Sequence, residues 1–351
     1  MRSGMNMSAM KETNRRAILQ CIYEEGPMSR KDLAAATGLT QASLTQISSA
    51  LIQEGILEES GAVSNQKAGR KKVLLDINCD YGVIAVMNID REKTVFSICN
   101  LKGNVLDEKQ IRTLKAEPEK FLQKAGEEML AMIQNCPADI LGLSVGIAGS
   151  VRDGISRKEN GIWRKNVNVA GILTAATKLD VIVENNVSAF VIGEKLFGTK
   201  KAENLLAVKW GPGLGSAIMI KDHLYEGKER PELGRFLDQK GQRLENKVSL
   251  ESLRKIDDFS PDTFYLHCTE EKYSPVFDAL STAVVNAASL LRPDAIVIYG
   301  DLCQEEAVSD CLIHACLAKD AGTGKIMYHS SLLEKENYIG PAAVYIERRL
   351  F

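Results

Sequence analysis

The chain has 351 residues, 45% of them hydrophobic, with 44 Lys and Arg against 46 Asp and Glu. That length exceeds one ordinary domain and the apolar share supports a large core, while a net charge of −2 excludes a molecule basic enough throughout to coat nucleic acid or an anionic membrane. The charge is uneven, since residues 1–78 hold ten cations against eight acids and the rest hold 34 against 38. The eight cysteines show no C-x-x-C pair and read as reduced core residues with no metal site. With no signal peptide before residue 30 and no apolar run of about 18 residues, the expected location is cytoplasmic.

A first helix is predicted over residues 11–24, carrying Ile18 and Ile22 inward and ending at Gly26-Pro27. Ser29 and Asp32 then form an S-x-x-D helix start, Leu33 to Ala36 offer a small packing face, and Gly38 can close the helix in the left-handed region. Thr40 caps a second helix that turns Leu44, Ile47 and Leu51 inward and Gln41, Ser43, Thr45, Gln46 and Ser49 outward. An outward face of amides and hydroxyls suits a major groove, and equally an ordinary polar surface. The neighbouring segment decides between them: a strand at Gly55-Ile56-Leu57, a tip with Lys67, Arg70, Lys71 and Lys72 and no acid, and a return through Val73-Leu74-Leu75. Residues 1–78 are therefore expected to be a winged helix-turn-helix that binds double-stranded DNA, with those four cations on phosphate or a minor groove.

Beyond the wing, an apolar strand from Tyr81 to Ile89 and two more, Lys93 to Asn100 and Asn104 to Lys109, lead into a helix at 118–134. A buried strand with a glycine exit (Ile140 to Gly149), a helix near 169–177 and the strand Val181-Ile182-Val183 come next, ending in Glu184-Asn185-Asn186. Leu205 to Lys209 and Ser216 to Ile220 repeat the theme around Gly211 to Gly215, before helices near 246–256 and 273–292 and a core strand Ala295 to Gly300. Two blocks of meander plus alternating α and β units describe an α/β body of the two-lobed, actin-like ATPase type. The expected lobes are 79–190, completed by a helix over 338–351, and 191–337, with the cleft at strand C-terminal ends.

The chain resembles the ROK family of sugar kinases and sugar-responsive repressors. Gly69-Arg70-Lys71 is similar to its wing, Gly146 to Gly149 to its G-x-x-G loop, Glu184-Asn185-Asn186 to its E-N-D sugar motif and Glu232 to Arg235 to its G-E-I-G-H, while Leu250-Glu251 stands where the family has a further sugar-contacting Glu. The departures point away from catalysis. Asn186 replaces the Asp base and an amide takes no proton near neutral pH. Asn88 to Glu92 lacks the glycines of the phosphate loop, and Arg235 with no nearby cysteines implies that the family's zinc is lost. The resemblance thus implies a homodimeric or tetrameric regulator, neither enzyme nor cofactor protein, repressing carbohydrate-use genes. Its sugar or phosphosugar effector would be held by Asn160, Asn185, Asn186, Glu232, Arg235 and Glu251. The rivals are a kinase with an added head and a regulator answering only to a protein partner.

Overall fold

Helix α1 (Met7–Glu25) buries Ile18, Leu19 and Ile22 beneath a pair of shorter helices, and each boundary of that pair is made by a specific side chain. Ser29, in the two-residue strand β1 (Met28–Ser29), accepts from the Asp32 amide at 3.2 Å and donates to the Asp32 carboxylate at 2.7 Å, starting α2 (Arg30–Thr37). Gly38 ends it at φ +69°, where a β-carbon would be strained. Thr40 then accepts from the Ser43 amide to start α3 (Gln41–Gln53), whose Leu44, Ile47 and Leu51 are buried. Strands β2 (Leu57–Val63) and β3 (Lys72–Ile77) pair antiparallel, and β1 adds to the far side of β3. A computed structural model describes residues 7–63, 72–159, 161–227 and 230–351. The expected contacts at Lys67, Arg70, Lys71 and Asn160 lie outside those residues.

The body repeats one plan twice. In the first lobe β4 (Val83–Ile89), β5 (Lys93–Asn100) and β6 (Val105–Arg112) form a meander, followed by α4 (Pro118–Asn135) and β7 (Ile140–Ile147). Three two-residue strands, β8 (Val151–Arg152), β9 (Ile155–Ser156) and β10 (Val167–Asn168), make a small flap before α5 (Val169–Thr177), β11 (Val181–Asn185) and α6 (Asn186–Phe197). The sheet order is β11-β7-β4-β5-β6, with β11, β7 and β4 parallel. Helices cover both faces, and every residue of β4 is buried. Because α6 runs unbroken to Phe197, the boundary expected at 190/191 falls inside a helix.

In the second lobe β12 (Leu205–Trp210), β13 (Leu214–Ile220) and β14 (His223–Leu224) form the meander. The helix expected over 246–256 is two short ones, α7 (Glu245–Val248) and α8 (Leu250–Leu253), because Ser249 takes an extended conformation and caps the second. After α9 (Phe264–His267) come α10 (Ser274–Leu291), β15 (Ala295–Tyr299), α11 (Glu306–Lys319), α12 (Ala321–Lys325) and β16 (Met327–His329), giving the order β14-β13-β12-β15-β16. The stretch Glu271–Leu291 is apolar and long enough to cross a membrane by composition, with a mean hydropathy of 1.2, contrary to the sequence reading. Its Val276, Phe277, Leu280 and Val284 are buried in the core of this lobe. That core centres on Trp210, which is fully buried, donates to the Val248 carbonyl at 2.6 Å and meets Phe264 and Phe277 edge-on.

The last helix, α13 (Ile339–Tyr345), returns to the first lobe and packs against α6 and β7. It continues into a π-helical turn, Ile346–Leu350, which touches the head. Glu347 accepts from Arg16 of α1 at 3.0 Å, and the Phe351 ring lies 5.7 Å from that of Tyr23. Head and first lobe thus share one continuous apolar cluster.

Residues 234–247, where the resemblance implies lost zinc, are organised by one carboxylate. Asp238 accepts from Lys247 Nζ at 2.5 Å and from the amides of Lys240 and Gln242 at 2.8 Å, and the Lys247 contact above all pulls its pKa down to about 2. Its contribution is present above the unfolded carboxylate value near ~3.9 and is lost as pH falls through about 2. Hydrogen exchange should therefore show residues 234–247 protected down to about pH 4 and opening below it, with Asp238→Ala opening them already at pH 7. In the same lobe Trp210→Ala should cost about 3–5 kcal/mol in urea unfolding followed by circular dichroism.

Candidate functional site

Two regions carry the chemistry. On the head, Gln41, Thr45, Gln46 and Ser49 are exposed along one side of α3, with Ser43 half-buried beside its cap. The intervening Ser48 is fully buried and accepts from Arg30 Nε at 3.3 Å, which anchors α3 to α2. Lys72, the described cation of the wing, sits 3.4 Å from Asp32. The Asp32 carboxyl is held below its usual range first by the Ser29 hydroxyl and then by Lys72.

In the body, the ends of β4, β7, β11 and β12 converge on a cleft that holds three cavities in a row. The inner one is walled by Asn186, Lys209, the Gly213 loop, Glu232, Arg235 and Glu245. Asn186 donates through Nδ2 to Asp90 at 3.2 Å, so its amide is oriented by a carboxylate from the first turn after β4. Asp90 also accepts from Lys209 Nζ at 3.0 Å, and Lys209 meets Glu336 at 2.8 Å. Burial works against the Lys209 charge, yet Asp90 and Glu336 outweigh it and hold the ammonium well above its usual range. Burial likewise works against Asp90, and Lys209 overcomes it, keeping the carboxyl below the usual range. Both groups are charged, and together they form a partition, since each lines both the inner cavity and the one behind it.

The rear cavity, about 440 Å³, is acidic: Asp90, Asp262, Asp301, Glu305, Glu334 and Glu336 face it against Lys93 and Lys209. A polyphosphate entering there would meet carboxylates where phosphate recognition needs amide N–H groups and cations. Among the described residues no group of three or more His, Cys, Asp and Glu is arranged to hold a metal ion.

The expected effector residues separate on inspection. Asn186, Glu232 and Arg235 line the inner cavity together, with Arg235 Nε on Glu232 at 2.7 Å. Asn185 lines it too, but its side chain is committed to the protein: Oδ1 caps α6 by accepting from Val187 and Ser188, and Nδ2 donates to the Gly149 carbonyl at 2.8 Å. It shapes the cavity and leaves little for a ligand. Glu251 is a correction. It is exposed on α8 and lines none of the three cavities, whereas Glu245, on α7, projects to the Gly213 loop and does. The sequence holds two Leu-Glu pairs six residues apart, and nothing in their spacing distinguishes the one that faces the cleft. Sequence reasoning also passed over Lys209, which looks like one apolar strand's charged end, and Arg230, which lines the cleft mouth and donates to Glu184 at 3.0 Å.

Residues 84–243 match the ROK family and residues 14–68 the MarR family. A xylose repressor of Caldicellulosiruptor bescii is 28% identical over 63% of this chain and 57% of its own, so the chain spans less than two thirds of such relatives. The DNA-binding transcriptional dual regulator NagC of Escherichia coli is 22% identical over 90% of this chain and 87% of its own. Among solved structures, a ROK-family transcriptional regulator homologous to the E. coli MLC protein superposes with a TM-score of 0.77 at 20% identity, covering 96% of both chains. A putative sugar kinase of Cytophaga hutchinsonii covers 76% of this chain and all of its own, with a TM-score of 0.63 at 19% identity. By these matches the chain joins a MarR-type winged helix over residues 14–68 to a sugar-kinase-like body whose residues 84–243 match the ROK family.

Proposed function

We propose that the protein is a DNA-binding transcriptional regulator, a repressor of carbohydrate-use genes, whose cleft takes a sugar or sugar derivative and transfers no phosphoryl group. It acts as a homodimer on DNA in the cytoplasm, because one short recognition helix supplies too little specificity and paired half-sites supply the rest. The observation that carries this reading is the Asp90, Asn186 and Lys209 network. The position of the catalytic base is an amide, and the phosphate side of the cleft is filled by the chain's own ion pair in front of an acidic cavity.

The names of two relatives, a xylose repressor and an N-acetylglucosamine repressor, put xylose and N-acetylglucosamine among the first sugars to try. A ligand alters operator binding only by its different affinity for two arrangements of the lobes. The C-terminal turn, joined both to α13 and to α1, supports transmission from cleft to head. The rival reading, an active kinase with an appended head, requires a proton acceptor that position 186 lacks.

In gel-shift titrations the protein should bind its own upstream region, and Gln46→Ala, at an exposed position of α3, should weaken that binding by about 10-fold, the loss typical of one base contact. A coupled assay should detect no sugar-dependent ATP turnover. Sugar phosphorylation above background, or indifference to the upstream DNA, would reject the reading.

A further inference from the structure

Two cysteines 43 positions apart meet in the second lobe. Cys268 directly follows α9, Cys311 lies midway along α11, and their Sγ atoms are 3.0 Å apart. All eight cysteines are free thiols, and among the described residues no other two of them touch.

The fold builds this contact from both sides. Cys268 is 5% exposed, and its Sγ also faces the backbone carbonyls of Tyr265 at 3.4 Å and Ala307 at 3.7 Å, one from each segment. Cys311 is half-buried and is the side from which a reagent reaches the pair. Burial first, and then Cys268 and Asp310, hold its thiol above the usual range, so it stays protonated at neutral pH. The segment that carries Cys268 has little strength of its own. Helix α9 is four residues long, has no side-chain cap, and stands between two single 3-10 turns, Pro261–Thr263 and Glu271–Tyr273. It is held by Phe264, which packs edge-on against Trp210. Yet Pro261, Asp262 and Tyr265 of this stretch line the acidic rear cavity, as do Leu302, Glu305 and Val308 at the approach to α11 and in its first turn.

We propose that Cys268 and Cys311 are a modification site, a reversible disulfide made by exchange with a small disulfide of the glutathione class, which staples α9 to α11 and fixes two walls of the rear cavity. The Cys311 thiolate attacks one sulfur of the oxidant, forms a mixed disulfide and releases one small thiolate. The Cys268 thiolate then attacks Cys311 Sγ, which forms the protein disulfide and releases the second. The protein gives up two electrons and two protons, and the two released thiolates take up the protons. The first step is slow because little of Cys311 is ionised, and the second is fast because the attacking sulfur already stands beside its target. A reducing cytoplasm keeps the pair as thiols, and the bond closes when the thiol pool turns oxidising.

The test is incubation of the full chain with oxidised and reduced glutathione over a series of ratios at mildly alkaline pH. Acid quenching, alkylation with N-ethylmaleimide in denaturant and peptide mass spectrometry follow. At oxidising ratios the peptides of Cys268 and Cys311 should appear joined to each other, carrying neither maleimide nor glutathione. The linked chain should melt several degrees above the reduced one, because the bond closes a long loop in the unfolded state. Cys268→Ser should leave glutathione stalled on Cys311, and the mapping of the unaltered chain stands whether or not that variant folds. Cys311 still reduced at oxidising ratios, glutathione persisting on Cys311 of the unaltered chain, a bond from either residue to a different cysteine, or a linked chain that melts no higher than the reduced one would each overturn the proposal.

Discussion

One ion pair between the lobes, Asp90 with Lys209, governs what this cleft can do. Lys209 is buried and Asp90 nearly so, and burial is overcome by Lys209 for Asp90 and by Asp90 with Glu336 for Lys209. Removing Lys209 would strip Asp90 and Glu336 of their shared cation in low dielectric, a penalty of a few kcal/mol, so the three charges are locked in as a unit. Its consequence is spatial as much as electrostatic. It divides a continuous groove into a cationic front and an acidic rear, and it orients the Asn186 amide that stands where a base would be needed.

That division sets the rest of the architecture. The body keeps the two-lobed frame, in which strand ends from both sheets meet at a hinge-like cleft, but its polar groups are spent on internal contacts: Asn185 on the α6 cap, Asp238 on the 234–247 loop, Glu184 on two arginines. Groups with capacity left over gather at the front. The C-terminal turn is the physical bridge to the head, since the same five residues contribute Arg348 to the cleft and Glu347 to α1. The π-helical form of that turn is consistent with a functional segment, as such turns concentrate where helices are adapted to a site.

How much of this was legible in the chain depended on whether the determinant was local. Ser29, Gly38 and Thr40 fix the head because a cap acts over three or four residues, and the structure puts each where the pattern requires. The longer strands of both lobes were readable from their apolar runs, whereas the two- and three-residue strands β8, β9, β10, β14 and β16 were not. Ser249 was not read as a helix break, because a serine's capping role depends on an extended backbone that composition does not announce. Glu245 and Glu251 were indistinguishable for the same reason: the break at Ser249 turns α7 toward the cleft and α8 away. Arg230 and Arg348 were invisible as a pair since only tertiary packing brings both onto Glu184, and Lys209 likewise meets Asp90 only across the fold.

The central claim is that the protein's own charges have replaced the nucleotide. Equilibrium dialysis of the full chain against radiolabelled ADP with magnesium measures that directly. The account predicts no saturable uptake up to millimolar nucleotide. Saturable binding below about 1 mM, some 4 kcal/mol of affinity, would show that the partition opens to a nucleotide and would contradict it.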